Sequence, residues 1–171
     1  MRTDVETRFS GTSTHKVDPK GRVSIPSNFR RVLDNGDPDR EPGTNPRVRI
    51  LYGDPREPWL TCHSMASFAE ITALIDDMDE SDPLLEAFNS FYYRHAETLS
   101  IDDSGRLILT RELRDRVGVD GDAVFAAMGK TFRIHSPEAP QDAVDPLAAL
   151  LATLPEGTSI ASLLPKRRRP A

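Results

Sequence analysis

Two short stretches hold the residues best suited to chemistry. "VDPKGRVSIPSNFR" at 17–30 sets Asp18 four residues before Arg22, and "IDDSGRLILTRELR" at 101–114 sets Asp102 four residues before Arg106. Across a tight turn, a carboxylate at that spacing can hold a guanidinium in one pose. A fixed fork of donors suits bidentate recognition of a phosphate or of guanine in a major groove. Charge separates the two copies. Around Arg22 the sequence carries Lys16, Lys20, Arg30 and Arg31 against Asp18 alone, whereas Asp103, Glu112 and Asp115 offset Arg111, Arg114 and Arg116 around Arg106. The first copy therefore reads as facing a polyanion through Lys20 and Arg22, with Lys16 and Arg30 as further contacts to DNA. Asp18 and Gly21 orient that turn. In the second copy Asp102, Gly105 and Arg106 read as a structural turn held by its own ion pair.

Other chemistry is poorly served. The histidines His15, His63, His95 and His135 have no metal-ligand spacing, and there is no phosphate-cradling glycine loop or nucleophile elbow. His63 and His135 each follow the last strand of a repeat and read as equivalent structural positions. The acidic run starting at Asp77 has Asp82 where a calcium loop needs glycine and Phe88 where it needs glutamate. A lone cysteine, Cys62, can build neither a disulfide framework nor a cysteine zinc site. No catalytic residue, metal, cofactor or small-molecule substrate is expected. The net charge of −5 over 171 residues argues against a chain that coats nucleic acid over its whole surface, so a DNA reader would need a local basic face. No apolar run is long enough to span a bilayer and the first residues lack an apolar signal core, so the expectation is a cytoplasmic protein without membrane contact.

The elements that must position these residues form a repeat. The two stretches align at an offset of 84 residues without a gap from Val17/Ile101 to Leu33/Val117. Each copy reads as a strand ending at Asp, a four-residue turn using Gly for its permissive φ, and a second strand that completes a hairpin. Pro26 suits the opening turn of a helix over "SNFRRVL", Thr110 suits the N-cap of "RELRDRV", and Gly118 stops the latter. Strand patterns follow: "RVRILYG" and "WLTCHS", then "DAVFAAMG" and "TFRIHS". Each half is β-β-α-β-β, and the whole is α+β.

Between Asp34 and Pro46 lies a Gly/Pro/Asp-rich stretch that reads as a flexible surface insertion. Two amphipathic helices separate the repeats. One places Met65, Phe68, Ile71, Leu74, Ile75 and Met78 on one face. The other runs through "DPLLEAFNSFYYRHAETL", with Asp82 as cap and Pro83 at the first helical position. The end of the chain holds one short apolar helical stretch and the basic run "KRRR", and reads as a mobile or partner-docking tail.

At "FSGTSTHKVDPKGRVSIPSNFR" the sequence resembles the MraZ family, within the AbrB-like swapped-hairpin superfamily. The family pattern falls on Phe9, Gly11, Asp18, Lys20, Gly21, Arg22, Ser24, Pro26 and Arg30, and its second copy on Asp102, Arg106, Leu113 and Arg114. The resemblance implies tandem half-modules interleaved into one swapped-hairpin barrel. A first, DNA-facing AbrB-like repeat would span 9–64, connecting helices 65–98, a second repeat 99–136 and a flexible tail 137–171. It further implies a ring-shaped homo-oligomer, associated with the nucleoid, that binds closely spaced G-rich repeats in double-stranded promoter DNA and regulates the bacterial division and cell-wall gene cluster, usually as a repressor. The competing expectation is an AbrB-like antitoxin that wraps a toxin with its tail. Such proteins carry one half-module, so the tandem repeat speaks against it.

Overall fold

A computed structural model describes residues 6–167. The chain divides into two compact units, Met1–Ala139 and Pro140–Ala171. The first is an α+β assembly built on eight strands: β1 (Thr12–Lys16), β2 (Arg22–Ser24), β3 (Arg47–Leu51), β4 (Trp59–His63), β5 (Ala96–Ser100), β6 (Arg106–Ile108), β7 (Asp122–Ala127) and β8 (Thr131–His135). Four helices accompany them: α1 (Ser27–Asn35), α2 (Met65–Asp76), α3 (Leu85–Asn89) and α4 (Arg111–Val117).

Six strands make one antiparallel sheet in the order β1-β7-β8-β4-β3-β5, and β2 pairs with β6 in a separate two-stranded ribbon. Exchanging each strand for its counterpart in the other repeat returns the same order reversed, so the pairing carries the internal repeat as a two-fold relation. Only β3–β4 and β7–β8 pair within a repeat; β1–β7, β3–β5, β4–β8 and β2–β6 all pair across. The expected hairpins consequently do not extend. Val17 and Val23 make a single bridge, after which β1 departs to β7 and β2 to β6.

Burial explains the exchange. Val23, Ile25, Phe29, Leu33 and their counterparts Leu107, Leu109, Leu113 and Val117 all point into one core, which neither repeat could close alone. Phe9, Phe29, Phe125 and Phe132 meet there with ring centroids 4.9–5.9 Å apart along the chain of contacts Phe29–Phe9–Phe132–Phe125. His63 and His135 end the central strands, buried at equivalent places. Burial drives the His63 pKa down to about 4, so its ring is neutral at pH 7.

Helix termini follow local chemistry with one change. The Thr110 hydroxyl accepts from the Leu113 N–H, and Gly118 closes α4 with φ 66°. Pro26, by contrast, occupies the N-cap of α1 and not its first turn, leaving that end without a side-chain cap. The connecting region departs further. Ser64 caps α2, and the expected apolar face is split, with Phe68 and Ile75 buried while Leu74 is 70% exposed. The second connecting helix starts at Leu85, two residues beyond Pro83, although the Asp82 carboxylate still accepts from the Leu84 N–H. It passes into a π-helical turn at Ser90–Arg94 and ends there, because Ala96–Ser100 is drawn into pairing with β3.

The 34–46 insertion is anchored. Asp37 is buried and accepts from Arg47 through Nε at 3.0 Å and Nη2 at 2.8 Å, and Arg40 pairs with Asp34. The second unit contains α5 (Gln141–Val144), α6 (Pro146–Thr153) and a 3-10 turn at Ile160–Leu163. Pro146 opens α6 and the Asp145 carboxylate accepts from the Leu147 N–H. The basic run extends past residue 167, outside the described residues.

Candidate nucleic-acid interface

Both turns are built to one plan. In the first, Asp18 Oδ1 accepts from the backbone N–H groups of Lys20 and Arg22, each at 2.9 Å, and Oδ2 accepts from Arg22 Nε at 2.5 Å. In the second, Asp102 Oδ1 accepts from Ser104 and Arg106 N–H at 2.9 Å, and Oδ2 from Arg106 Nε at 3.0 Å. The backbone N–H of Arg22, ahead of its guanidinium, holds the Asp18 carboxyl below its ordinary pKa, and the Arg106 N–H does the same for Asp102. Each carboxylate is thus ionised at neutral pH and fixes its arginine by Nε. The two Nη nitrogens remain for an outside acceptor.

Gly21 and Gly105 make this geometry possible, with φ 85° and 75°. They also admit the other repeat. The Leu109 N–H donates to the Gly21 carbonyl at 2.8 Å and the Ile25 N–H to that of Gly105 at 3.0 Å. A methyl group on Gly21 would stand 2.1 Å from the Leu109 oxygen, and one on Gly105 the same distance from Arg30 Nη1.

The ribbon register decides which side chains face out. Val23 sits opposite Leu107, both buried, so Arg22 opposite Ile108 and Ser24 opposite Arg106 point to the other face. Arg22 and Arg106 are therefore diagonal neighbours on one solvent-facing ribbon. Their side chains are 38% and 37% exposed. Exposure does not separate the two turns; their tips do. The first tip is Pro19–Lys20 and the second is Asp103–Ser104, at corresponding positions. Lys20 and Lys16 are exposed, Lys16 at the end of β1 opposite Asp122.

Arg30 lies elsewhere than its sequence neighbours suggest. It packs against Gly105 of the second turn, where its Nε is buried without a hydrogen-bond partner. Its counterpart Arg114 lies against Gly21 of the first turn, and its Nε donates to the Leu109 carbonyl at 3.1 Å. Strand exchange thus moves each helix arginine to the opposite turn. Spacing within one repeat carries no sign of this, so Arg111 and Arg114 are neighbours of the first turn that sequence reasoning missed. Among the described residues no group of three or more His, Cys, Asp or Glu is placed to hold a metal ion, and no helix is long and apolar enough to cross a membrane.

A two-stranded antiparallel ribbon with fixed arginines on its outer face is of a size that a B-DNA major groove admits. The fold and site together define an internally duplicated α+β protein with an Asp-x-x-x-Arg turn at the head of each ribbon strand. No family model matches the chain. It is 42% identical over 130 residues to "Transcriptional regulator MraZ" of Ruegeria pomeroyi, covering 76% of this chain and 78% of the relative. It is 40% identical over 131 residues to the same-named protein of Ruegeria sp. (strain TM1040), covering 77% and 78%. The match to that of Cereibacter sphaeroides is 30% over 168 residues, 91% of this chain and 95% of the relative. The chain belongs to the MraZ family.

Proposed function

We propose that this chain is a sequence-specific DNA-binding transcriptional regulator with no catalytic activity. It reads promoter DNA through the β2–β6 ribbon, with Lys20 and Arg22 as principal contacts, and Lys16 and Arg30 in support. The observation that carries this is the outward pairing of Arg22 with an ionised Asp18 beside a lysine at the turn tip. Asp18, Gly21, Asp102, Gly105 and Arg106 orient the two turns. The name carried by the similar proteins, transcriptional regulator, supports the same reading.

In this proposal residues 9–64 form the DNA-facing repeat and 99–136 its structural twin, interleaved as a swapped-hairpin barrel, with connecting helices at 65–98 and a tail at 137–171. Copies assemble into a ring and engage tandem G-rich promoter repeats of the division and cell-wall gene cluster, where the bound ring represses. Avidity makes this workable for an acidic chain: several weak modules on one rigid ring gain roughly 10²-fold over a single module without any new contact. The place of action is the cytoplasm, at the nucleoid. Family membership favours the regulator over a toxin-binding role for the tail.

A salt titration tests this. With a duplex from immediately upstream of the gene, the log of the affinity should fall linearly with log salt, with a slope of about −0.9 for each phosphate contact released. A flat response, or equal affinity for a scrambled duplex, would contradict the proposal.

A further inference from the structure

Beside the first turn lies a cleft of about 500 Å³ whose lining includes Pro19, Arg111, Arg114, Asp115, Val119 and Asp120. Except for Pro19, all of these come from the second repeat. Leu109 is hydrogen-bonded to Gly21, and Arg114 braces the underside of the turn through its bond to the Leu109 carbonyl. The turn tip and the start of α4 therefore form one surface.

Arg111 has the fewest ties of the two arginines. Its side chain is 88% exposed, and it pairs with Asp115, itself 71% exposed, at 3.7 Å. So open and long a pair is largely screened by water and salt, and a stronger anion displaces the carboxylate with little loss. The corresponding cleft in the other half has Ser27 in place of Arg111, Arg31 in place of Asp115 and Asp103 in place of Pro19, and adds Asp102 and Asp34 to its wall. Arg31 there is also loosely held, 70% exposed and 3.6 Å from Glu6, but it shares its cleft with Asp34, Asp102 and Asp103; among the described residues, the cleft at the Lys20 end is the one that sets a loosely held arginine beside an uncharged turn residue.

We infer that this cleft is a phosphate subsite: Arg111, supplied by the second repeat, takes a backbone phosphate of the duplex whose groove the first turn enters. The inference rests on the DNA-binding reading above. Its chemistry differs from that assigned to Arg22. A phosphate contact fixes register and orientation and carries no base information, so it acts alike on every sequence.

The test uses the full chain, the upstream duplex and a scrambled duplex of equal length, with affinity followed against salt for wild type, Arg111→Gln, Asp115→Asn and Arg22→Ala. Arg111→Gln should weaken binding to both duplexes by the same factor and reduce the salt slope by about 0.9 per engaged subunit, with an unchanged melting curve. Asp115→Asn, which removes the competing carboxylate, should strengthen binding to both. A folded Arg111→Gln protein with wild-type slope and affinity would overturn the subsite, as would a loss confined to the upstream duplex. In either case, a steep wild-type slope and a deleterious Arg22→Ala would leave the DNA reading standing. A flat wild-type response would remove both.

Discussion

Arg22→Ala is expected to lose discrimination for the upstream duplex while the protein stays folded. A bidentate arginine contact to a guanine edge is worth about 1–3 kcal/mol of base discrimination, which is roughly tenfold to hundredfold for one module. Several modules on one operator would compound the loss. The stability cost is small, because the Asp18–Arg22 pair is more than a third exposed on the arginine side, where water and salt screen it. Arg106→Ala separates the roles of the two turns. Its ion pair has nearly the same exposure and the same set of hydrogen bonds, so its stability cost should be similarly small. Its effect on DNA should be weaker, since Asp103 and Ser104 replace Pro19 and Lys20 at the tip and repel or ignore phosphate. Gel-shift titration of both variants measures this. If neither substitution altered binding by a folded protein, the roles given to the turns would be wrong.

Gly21→Ala should do the most damage to the fold. Its methyl group would meet the Leu109 carbonyl oxygen at 2.1 Å and carbon at 3.2 Å, at a φ of 85° that costs any other residue strain. The obstacle is backbone, tied by the Leu109–Gly21 hydrogen bond, so it cannot swing aside. A loss of more than ~3 kcal/mol is expected, which for a chain of this size lowers the melting temperature by roughly 10 °C. Gly105→Ala meets the flexible Arg30 side chain and should cost less. Gly118 has positive φ but nothing within 4 Å of an added methyl, so Gly118→Ala isolates the backbone term at ~1 kcal/mol. Thermal melts of the three variants rank them, and equal losses at Gly21 and Gly118 would show that the two repeats pack more loosely at this point than the Leu109–Gly21 contact requires.

Much of the fold and of the site is legible in the amino-acid sequence. The 84-residue offset marks both turns, and the Asp, Gly and Arg positions in each are the hydrogen-bonding residues. Thr110, Gly118 and the four later strands follow from local patterns. What stays hidden is of one kind, namely which segments pair across the repeats. Local alternation says that β1 and β2 are strands but not that each will leave its neighbour for the other half. Arg30 and Arg114 therefore change turns without any sequence signal. The second connecting helix reads on through Leu99 because Ala, Glu and Leu suit one, and the pairing of Ala96–Ser100 with β3 overrides that preference. Asp37 sits in a stretch that composition marks as loop, where only the position of Arg47 in space reveals an anchor.

The same exchange bears on function. Because the second repeat supplies both the hydrogen bond behind Gly21 and the arginines beside it, the surface proposed to meet DNA belongs to neither repeat alone. A single half-module would lack it.

Site-directed photo-cross-linking tests the central claim most directly. Cys62 is fully buried, and burial raises its thiol pKa, so a cysteine placed at an exposed position takes the label alone. Position 19 is suited to this, since its counterpart in the second turn is Asp103 and the turn keeps the same hydrogen bonds without proline. With the upstream duplex, a photoprobe on Pro19→Cys should cross-link to DNA in a salt-sensitive manner, while one on Glu86→Cys in α3 should not. Efficient cross-linking from residue 86 with none from residue 19 would contradict the account.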